Sequence, residues 1–318
     1  MKCADSLVVG LLASASICPF ATAWGQVNSS RNTHSASHTA TSSSTPTRKY
    51  LVTGLNLTES NVGPNFHGHD IIAVFKAVEK SPALKEKEEF ESSSTFEMRR
   101  AGFLNRPFYG DLSSNDYFGF VVPSGDITSS PEFKYDPDTQ TLAITLTGAS
   151  KEFIEFKELI ELPKNLYVPH PLDTILIHRT VVNHGKSYMA SNAFGAKVRV
   201  HEASWDEYGI AFEPASWLFP SPSGSPSFTY KLKMTPDEAR ALEPYAKLML
   251  ICRLAEPWLR RSTQGGDATF DEPYQNFVGD KYLVVNPEQL WVFNGKTGEV
   301  VTKLSASSVP RDEGTSNP

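Results

Sequence analysis

From about residue 115 onward the chain is a succession of short apolar, β-branched or aromatic runs broken by turn residues. They read "DYFGFVVP", "EFKYDPDTQTLAITLTG", "TILIHRTVV", "AKVRVHEA", "YGIAFE", "SFTYKLKM", "KLMLICRL", "KYLVV" and "LWVFNGKTGEVVTKL". Runs this short and this closely spaced, with no regular alternation of strand and helix, exclude a βαβ arrangement and predict strands paired mainly antiparallel. In the second run Leu142, Ile144 and Leu146 alternate with smaller or polar residues, and Asp136-Pro137-Asp138 supplies a turn. In the last, Asn294-Gly295 and Thr297-Gly298 supply the positive-φ residues of a hairpin. A strand, a T-G turn and a strand also occur in propeller repeats, but the pattern does not recur along the chain.

Helical patterning precedes the strands. In "HDIIAVFKAVEK" Ile71, Phe75 and Val78 fall at i, i+4 and i+7, Ile72 and Val74 widen that face, and Lys76, Glu79 and Lys80 occupy the remainder. Ser94 with Glu97 reads as a capping box opening a second short helix, with Phe96 and Phe103 a heptad apart and Pro107 ending it. One helix interrupts the strands: in "TPDEARALEPYA" Thr235 is the N-cap, Pro236 the first helical residue and Glu238 the return partner. The prediction is therefore an α+β fold, with short N-terminal helices followed by a mainly antiparallel β domain carrying one inserted helix. A single α+β domain spans 50–304; if it divides into two sub-domains, the break falls near 105–115.

The ends of the chain read differently. Residues 1–23, "MKCADSLVVGLLASASICPFATA", have Lys2, an apolar stretch from Leu7 to Ile17, and Ala21 and Ala23 in an A-x-A cleavage pattern, which predicts a secretory signal peptide. The apolar stretch falls short of the roughly 20 residues a bilayer needs, so no transmembrane segment is expected. Cys18 after that stretch leaves a lipid-anchored alternative, against which the bulk of Ile17 argues. Residues 24–49 are dominated by Ser and Thr and predict a disordered tether in which His34 and His38 are solvated; 305–318 predicts a disordered tail. Of the three cysteines only Cys252 would survive cleavage, so no intramolecular disulfide is expected, and its apolar surroundings make it a buried small hydrophobe. A net charge of -6 with no basic block argues against a nucleic-acid partner.

The chemistry-bearing motifs of common hydrolases, metalloproteases and nucleotide sites do not occur. Asp136 with Asp138, and Asp206 with Glu207, are carboxylate pairs, but acid/base work needs carboxylates facing across a substrate, and both pairs read as turn or surface residues. "NFHGHD" is the one metal candidate: His67, His69 and Asp70 cluster within four positions. A strand with H-x-H spacing can put two imidazoles on one metal, yet this stretch leads into a helix and no third ligand has a recognisable spacing. The simpler expectation is that Gly68 turns the chain while His69 or Asp70 satisfies the free amides of the helix start. His170, His178, His184 and His201 are scattered. No catalytic or cofactor-binding residue is assigned and no cofactor is expected.

Several segments together, "GHDIIAVFKAVEK", "EKEEFESSSTFEMRR", "YDPDTQTLAITL", "SNAFGAKVRV" and "KYLVVNPEQLWVFNGKTGEVV", resemble a loosely defined set of uncharacterised exported bacterial proteins. In that set a helix opened by G-H-D is followed by an E-F-E-x4-F-x2-R segment and an antiparallel region. The resemblance brings no activity, so Glu89, Phe90, Glu91, Phe96 and Arg99 are read structurally: Phe90 and Phe96 pack, and the charges solvate or pair. The functional expectation is an exported, soluble, noncatalytic binding or interaction protein, secreted or periplasmic after signal removal, with an exported or envelope partner. The alternatives are a secreted or periplasmic hydrolase whose site is dispersed in sequence, and a secreted host-directed factor.

Overall fold

The computed structural model describes residues 50–125, 129–153, 171–191, 193–220 and 225–308. The signal segment 1–23 with Ala21 and Ala23, the 24–49 tether, His34, His38, His170 and the tail beyond 308 lie outside the described residues. Contacts gather Arg48–Pro318 into one compact unit.

Strand occupies 51% and helix 14% of the structure, so the fold is mostly β and the α+β expectation is corrected. Ten strands, β1 (Phe118–Val122), β2 (Glu132–Asp136), β3 (Thr141–Thr147), β4 (Ala149–Lys151), β5 (Leu172–Ser191), β6 (Lys197–Phe212), β7 (Ser227–Lys233), β8 (Ala246–Gly266), β9 (Tyr274–Asn294) and β10 (Val300–Ser305), are described. The three described helices, α1 (Ile71–Glu79), α2 (Ser93–Asn105) and α3 (Pro236–Leu242), are short. They form no layer of their own. The physical reason is length: β5, β6, β8 and β9 run for 20, 16, 21 and 21 residues, because runs that read as separate strands continue through polar stretches into one another.

The main sheet has the order β1-β8-β9-β6-β5-β4, with β10 also on β9, and a second sheet has the order β2-β3-β7. Pairing is antiparallel except that β6 and β9 run parallel, from His201 opposite Tyr274 to Ala211 opposite Val284. One face of the base of the main sheet takes Phe118, Phe120, Leu248, Leu250, Ile210, Leu283 and Val292 into a core shared with α1 and with Leu142, Ile144, Leu146 and Phe228 of the second sheet. The opposite face buries Met249, Ile251, Trp291 and Phe293 under the N-terminal segment through Leu55 and Phe66. Leu112 is buried in the first core and Phe108 stacks on Phe118, so 105–115 packs into that core.

Local signals explain the helices. Asp70 caps α1, its carboxylate accepting from the amides of Ile72 and Ala73, and Ile71, Val74, Phe75 and Val78 are buried beneath it. Gly68 is required: its φ is +66°, and a Cβ there would lie 2.3 Å from the Gly119 carbonyl. The cap of α2 is Ser92, accepting from the Thr95 amide, rather than Ser94. The capping box of Thr235 and Glu238 is present. In the last hairpin Asn294 accepts from the amides of Lys296 and Thr297, and only Gly298, not Gly295, has positive φ.

Candidate binding site

The residues of "NFHGHD" take different partners on folding. His69 is buried at 2% exposure; its Nδ1 accepts from the Gly119 amide at 2.9 Å and its Nε2 donates to the Thr53 carbonyl at 3.0 Å. This assigns the neutral Nε2–H tautomer. Burial lowers its pKa against the opposing pull of those backbone partners, so the ring is a neutral tie between the N-terminal segment and β1. With both nitrogens engaged it has no lone pair to give a metal. Asp70 caps α1, and His67 lies against Tyr50, ring centroids 5.8 Å apart. Among the described residues no three His, Cys, Asp or Glu side chains gather around a common point. His67, His69 and Asp70 do share the lining of a cavity of about 550 Å³ with Tyr50, His178 and Lys247.

Glu207 corrects another expectation. Alternation along β6 sends Asp206 to one face, where it pairs with Lys281, and Glu207 to the other, where it is buried at 6% exposure instead of lying on the surface. There it meets its parallel partner Asp280, and Lys151 Nζ lies 2.8 Å from Glu207 Oε2 and 2.6 Å from Asp280 Oδ1. Arg179 grips the other Glu207 oxygen through Nε at 3.1 Å and Nη2 at 2.6 Å. Ser262 and Gln264 donate to the remaining Asp280 oxygen at 2.7 and 2.8 Å. Burial alone would raise the Glu207 pKa, but Lys151 and Arg179 outweigh it and hold the carboxyl below the usual range. Two cations saturate two carboxylates, which suits register-setting in a parallel pair better than proton transfer. A cavity of about 290 Å³ adjoins this quartet, and the Trp205 indole Nε1 on its lining has no hydrogen-bond partner among the described residues.

A cavity of about 870 Å³ is a groove between α1 and α2. It arises because α1 buries only one stripe and turns Ala73, Lys76, Ala77 and Lys80 away from it, at the i, i+3, i+4 and i+7 spacing of a second face. The opposite wall comes from Met98, Arg99, Gly102 and Phe103 of α2 and from its C-cap Arg106, and Phe108 also lines the groove. What holds α2 off α1 is a set of polar and aromatic fastenings. The Arg99 guanidinium is bidentate to Glu91 at 3.0 and 2.8 Å, and it donates to the carbonyls of Pro82, Lys85 and Glu86. That contact holds the Glu91 carboxyl below its usual range. Arg100 lies over Trp258 and pairs with Glu256, while Phe103 meets Trp258 edge-on at 5.2 Å.

The groove thus has an apolar floor of Ala73, Ala77, Ala83, Phe103 and Phe108, and a rim of Lys76, Lys80 and Arg106. No carboxylate lines it. At Gly102 a Cβ would meet nothing within 4 Å, so the helix-weakening glycine is not demanded by packing. It leaves the wall open.

Sequence reading placed Lys76 and Lys80 on the solvated remainder of α1 and passed over Gly102 and Arg106. The signal was available: Ala73-Lys76-Ala77-Lys80 is a small-residue stripe with two cations, distinct from the Ile-Val-Phe stripe. Phe90, expected to pack, is 95% exposed, because it lies in the turn before α2 where Arg99 binds carbonyls and leaves no apolar recess. Phe96 is half-buried under Arg99 and Arg100. Asp136 is the expected turn residue, accepting from the amides of Asp138 and Thr139. Cys252 is buried and free, and burial pushes its thiol pKa far up. Among the described residues no helix is long and apolar enough to cross a membrane. No protein-family model, curated protein or solved structure matches the chain.

Proposed function

We propose that this is an exported, noncatalytic binding protein whose α1–α2 groove takes an amphipathic anion, an apolar body or chain ending in a carboxylate or phosphate. The observation that carries the reading is the composition of the groove: an apolar floor rimmed by Lys76, Lys80 and Arg106, with no carboxylate, in a chain of net charge -6. Small-molecule sites are concave, mostly apolar and supplied with few placed polar groups, within about 300–1,000 Å³. The floor would remove apolar surface from water, and the rim would fix which end of the ligand stays at the mouth.

Gly102→Leu tests it. The side chain enters open space and improves helix propensity, so the fold is kept while the groove is filled. Titration with a long-chain fatty acid should show saturable binding that Gly102→Leu abolishes and that Lys76→Glu weakens by about threefold or more, as expected for loss of one solvent-exposed cation-anion contact of ~0.7 kcal/mol. Binding unchanged in Gly102→Leu would place the ligand elsewhere.

A hydrolase with a dispersed site is the second reading, favoured by the cavity that brings His67, Asp70 and His178 together. Hydrolysis lost in both His67→Ala and His178→Ala, with Gly102→Leu fully active, would move the assignment there.

A further inference from the structure

The four long strands continue well past the core. The hairpin tips of β5–β6 and β8–β9 point the same way, because β6 and β9 both start at that end and run parallel back to the base. β9 begins opposite His201, so Lys197 to Val200 have β5 as their strand neighbour but not β9. At roughly 3.3 Å per residue the β5–β6 ladder thus extends about 13 Å beyond the first residue of β9, from which residues 267–273 lead back to β8.

The β5–β6 tip is cationic and apolar. From Lys186 to His201, "KSYMASNAFGAKVRVH", there are three cations, Lys186, Lys197 and Arg199, and no carboxylate. Phe194 in the turn is 96% exposed, Met189 57% and Tyr188 44%. Alternation sets Met189, Lys197 and Arg199 on one face of the ribbon and Tyr188 with Lys186 on the other, where Lys186 lies opposite Glu202.

We infer that the β5–β6 tip docks on the surface of an anionic phospholipid bilayer, with Phe194 entering the headgroup–acyl boundary and Lys197 and Arg199 lying among the headgroups. Charge and shape select this partner. An apolar element at a bilayer surface is buried by about 5–10 Å, which the free-standing ribbon can supply without bringing the bulk of the protein to the membrane. Tyr188 is tied back to β9, its hydroxyl donating to Gln275 Oε1 at 3.2 Å, so Phe194 and Met189 are the apolar groups the tip offers. The neighbouring tip carries Phe270 but also Asp267, Asp271 and Glu272, and an anionic surface would repel it.

The test is sedimentation of the protein with vesicles of phosphatidylcholine alone or of phosphatidylcholine mixed with phosphatidylglycerol. Wild type is expected to bind the mixed vesicles, to be released by salt, and to leave phosphatidylcholine vesicles unbound. Lys197→Glu with Arg199→Glu should weaken binding by about 25-fold or more, since each cation near an anionic surface contributes about fivefold. Phe194→Ser should weaken it by about tenfold or more, the loss expected for an aromatic ring that leaves water. These side chains are outside the core, so unchanged thermal melting verifies that the variants are folded. Failure of wild type to bind the mixed vesicles overturns the inference, as does equal binding by all variants. If Phe194→Ser binds as wild type does and soluble polyglutamate displaces the vesicles, the tip serves an acidic polypeptide and the lipid assignment is wrong. Gly102→Leu should bind vesicles normally, which separates this surface from the groove.

Discussion

The base and the far half of the main sheet are made of the same four strands but are held by different forces. At the base, β8 reads "KLMLIC" and β9 "QLWVF"; both faces are covered, and Leu250, Ile251, Trp291 and Val292 are all fully buried. Beyond the Lys151–Glu207–Asp280–Arg179 quartet the same strands become polar, and Val181, Val182, Met189 and Tyr274 are exposed. A strand covered on two faces gains from every side chain it buries. One uncovered on both faces is held mainly by backbone pairing and cross-strand contacts, such as the stacked rings of His201 and Tyr274 at 5.7 Å. The comparison teaches that strand continuity is set at the base and inherited by the arm.

The largest effects should therefore come from the base. Phe120→Ala removes a fully buried ring and should cost about 3–5 kcal/mol in chemical denaturation, lowering the whole unfolding transition. Asp280→Ala, at the junction, should cost about 3 kcal/mol, because Lys151 loses one of two carboxylates in a largely buried setting. Its signature differs: amides of Trp205 to Glu207 should exchange faster than those of β1 and β8 at the base. A uniform loss of protection across both regions would mean that base and arm are one cooperative unit.

Much of the base was legible because its burial is written as periodicity. Asp70 before an Ile-Val-Phe stripe announced α1, and Leu142, Ile144 and Leu146 announced the inner face of β3. The arm was not legible. Its strands cross stretches such as "HRTVVNHGKSY", where no face is buried and no alternation need be kept, so β5, β6, β8 and β9 read as shorter pieces and the β content was underestimated. The parallel pairing of β6 with β9 was equally hidden. It joins two hairpins distant in sequence, and the carboxylates that mark it, Glu207 and Asp280, acquire meaning only when Lys151 comes between them. The groove was half legible: Lys76 and Lys80 were visible on α1, but Gly102 and Arg106 face them only after Arg99 has fastened α2 to the carbonyls of 82–86.

A pH titration sharpens the contrast, because the two regions carry different titrating groups. His69 at the base has a folded-state pKa lowered by burial, so the unfolded chain binds the proton first. Its contribution is fully present above the ordinary histidine value of about 6.5 and is lost as pH falls from there through the folded value. Glu207 in the junction has a folded pKa held below its ordinary value, so its contribution is present above about 4.3 and is lost only as pH falls further. Acidification from neutral to pH about 5 should thus loosen the tie between Thr53 and Gly119 while the quartet stays intact. Hydrogen exchange after such a step, extrapolated to a common intrinsic rate, should show loss at Gly119 before loss at Trp205 and Val278. The opposite order would show that the junction, not the base, is the acid-sensitive part.

The smallest expected effect lies at the exposed part of the arm, and its smallness is the point. Val181 and Val182 are 64% and 61% exposed on β5, where the ladder shifts register between Val181 and Asn183. If the arm is bare on both faces, Val181→Thr exchanges a methyl for a hydroxyl that water can solvate, keeps the β-branch, and should change stability by no more than about 0.5 kcal/mol. A valine covered by other parts of the chain would behave otherwise, because the buried hydroxyl would lack a partner and cost about 1–3 kcal/mol. Chemical denaturation of Val181→Thr beside Phe120→Ala measures both ends of the scale in one experiment. A loss above about 1 kcal/mol in the threonine variant would show that part of the chain outside the described residues packs on this face, and the division into a covered base and an uncovered arm would have to be redrawn.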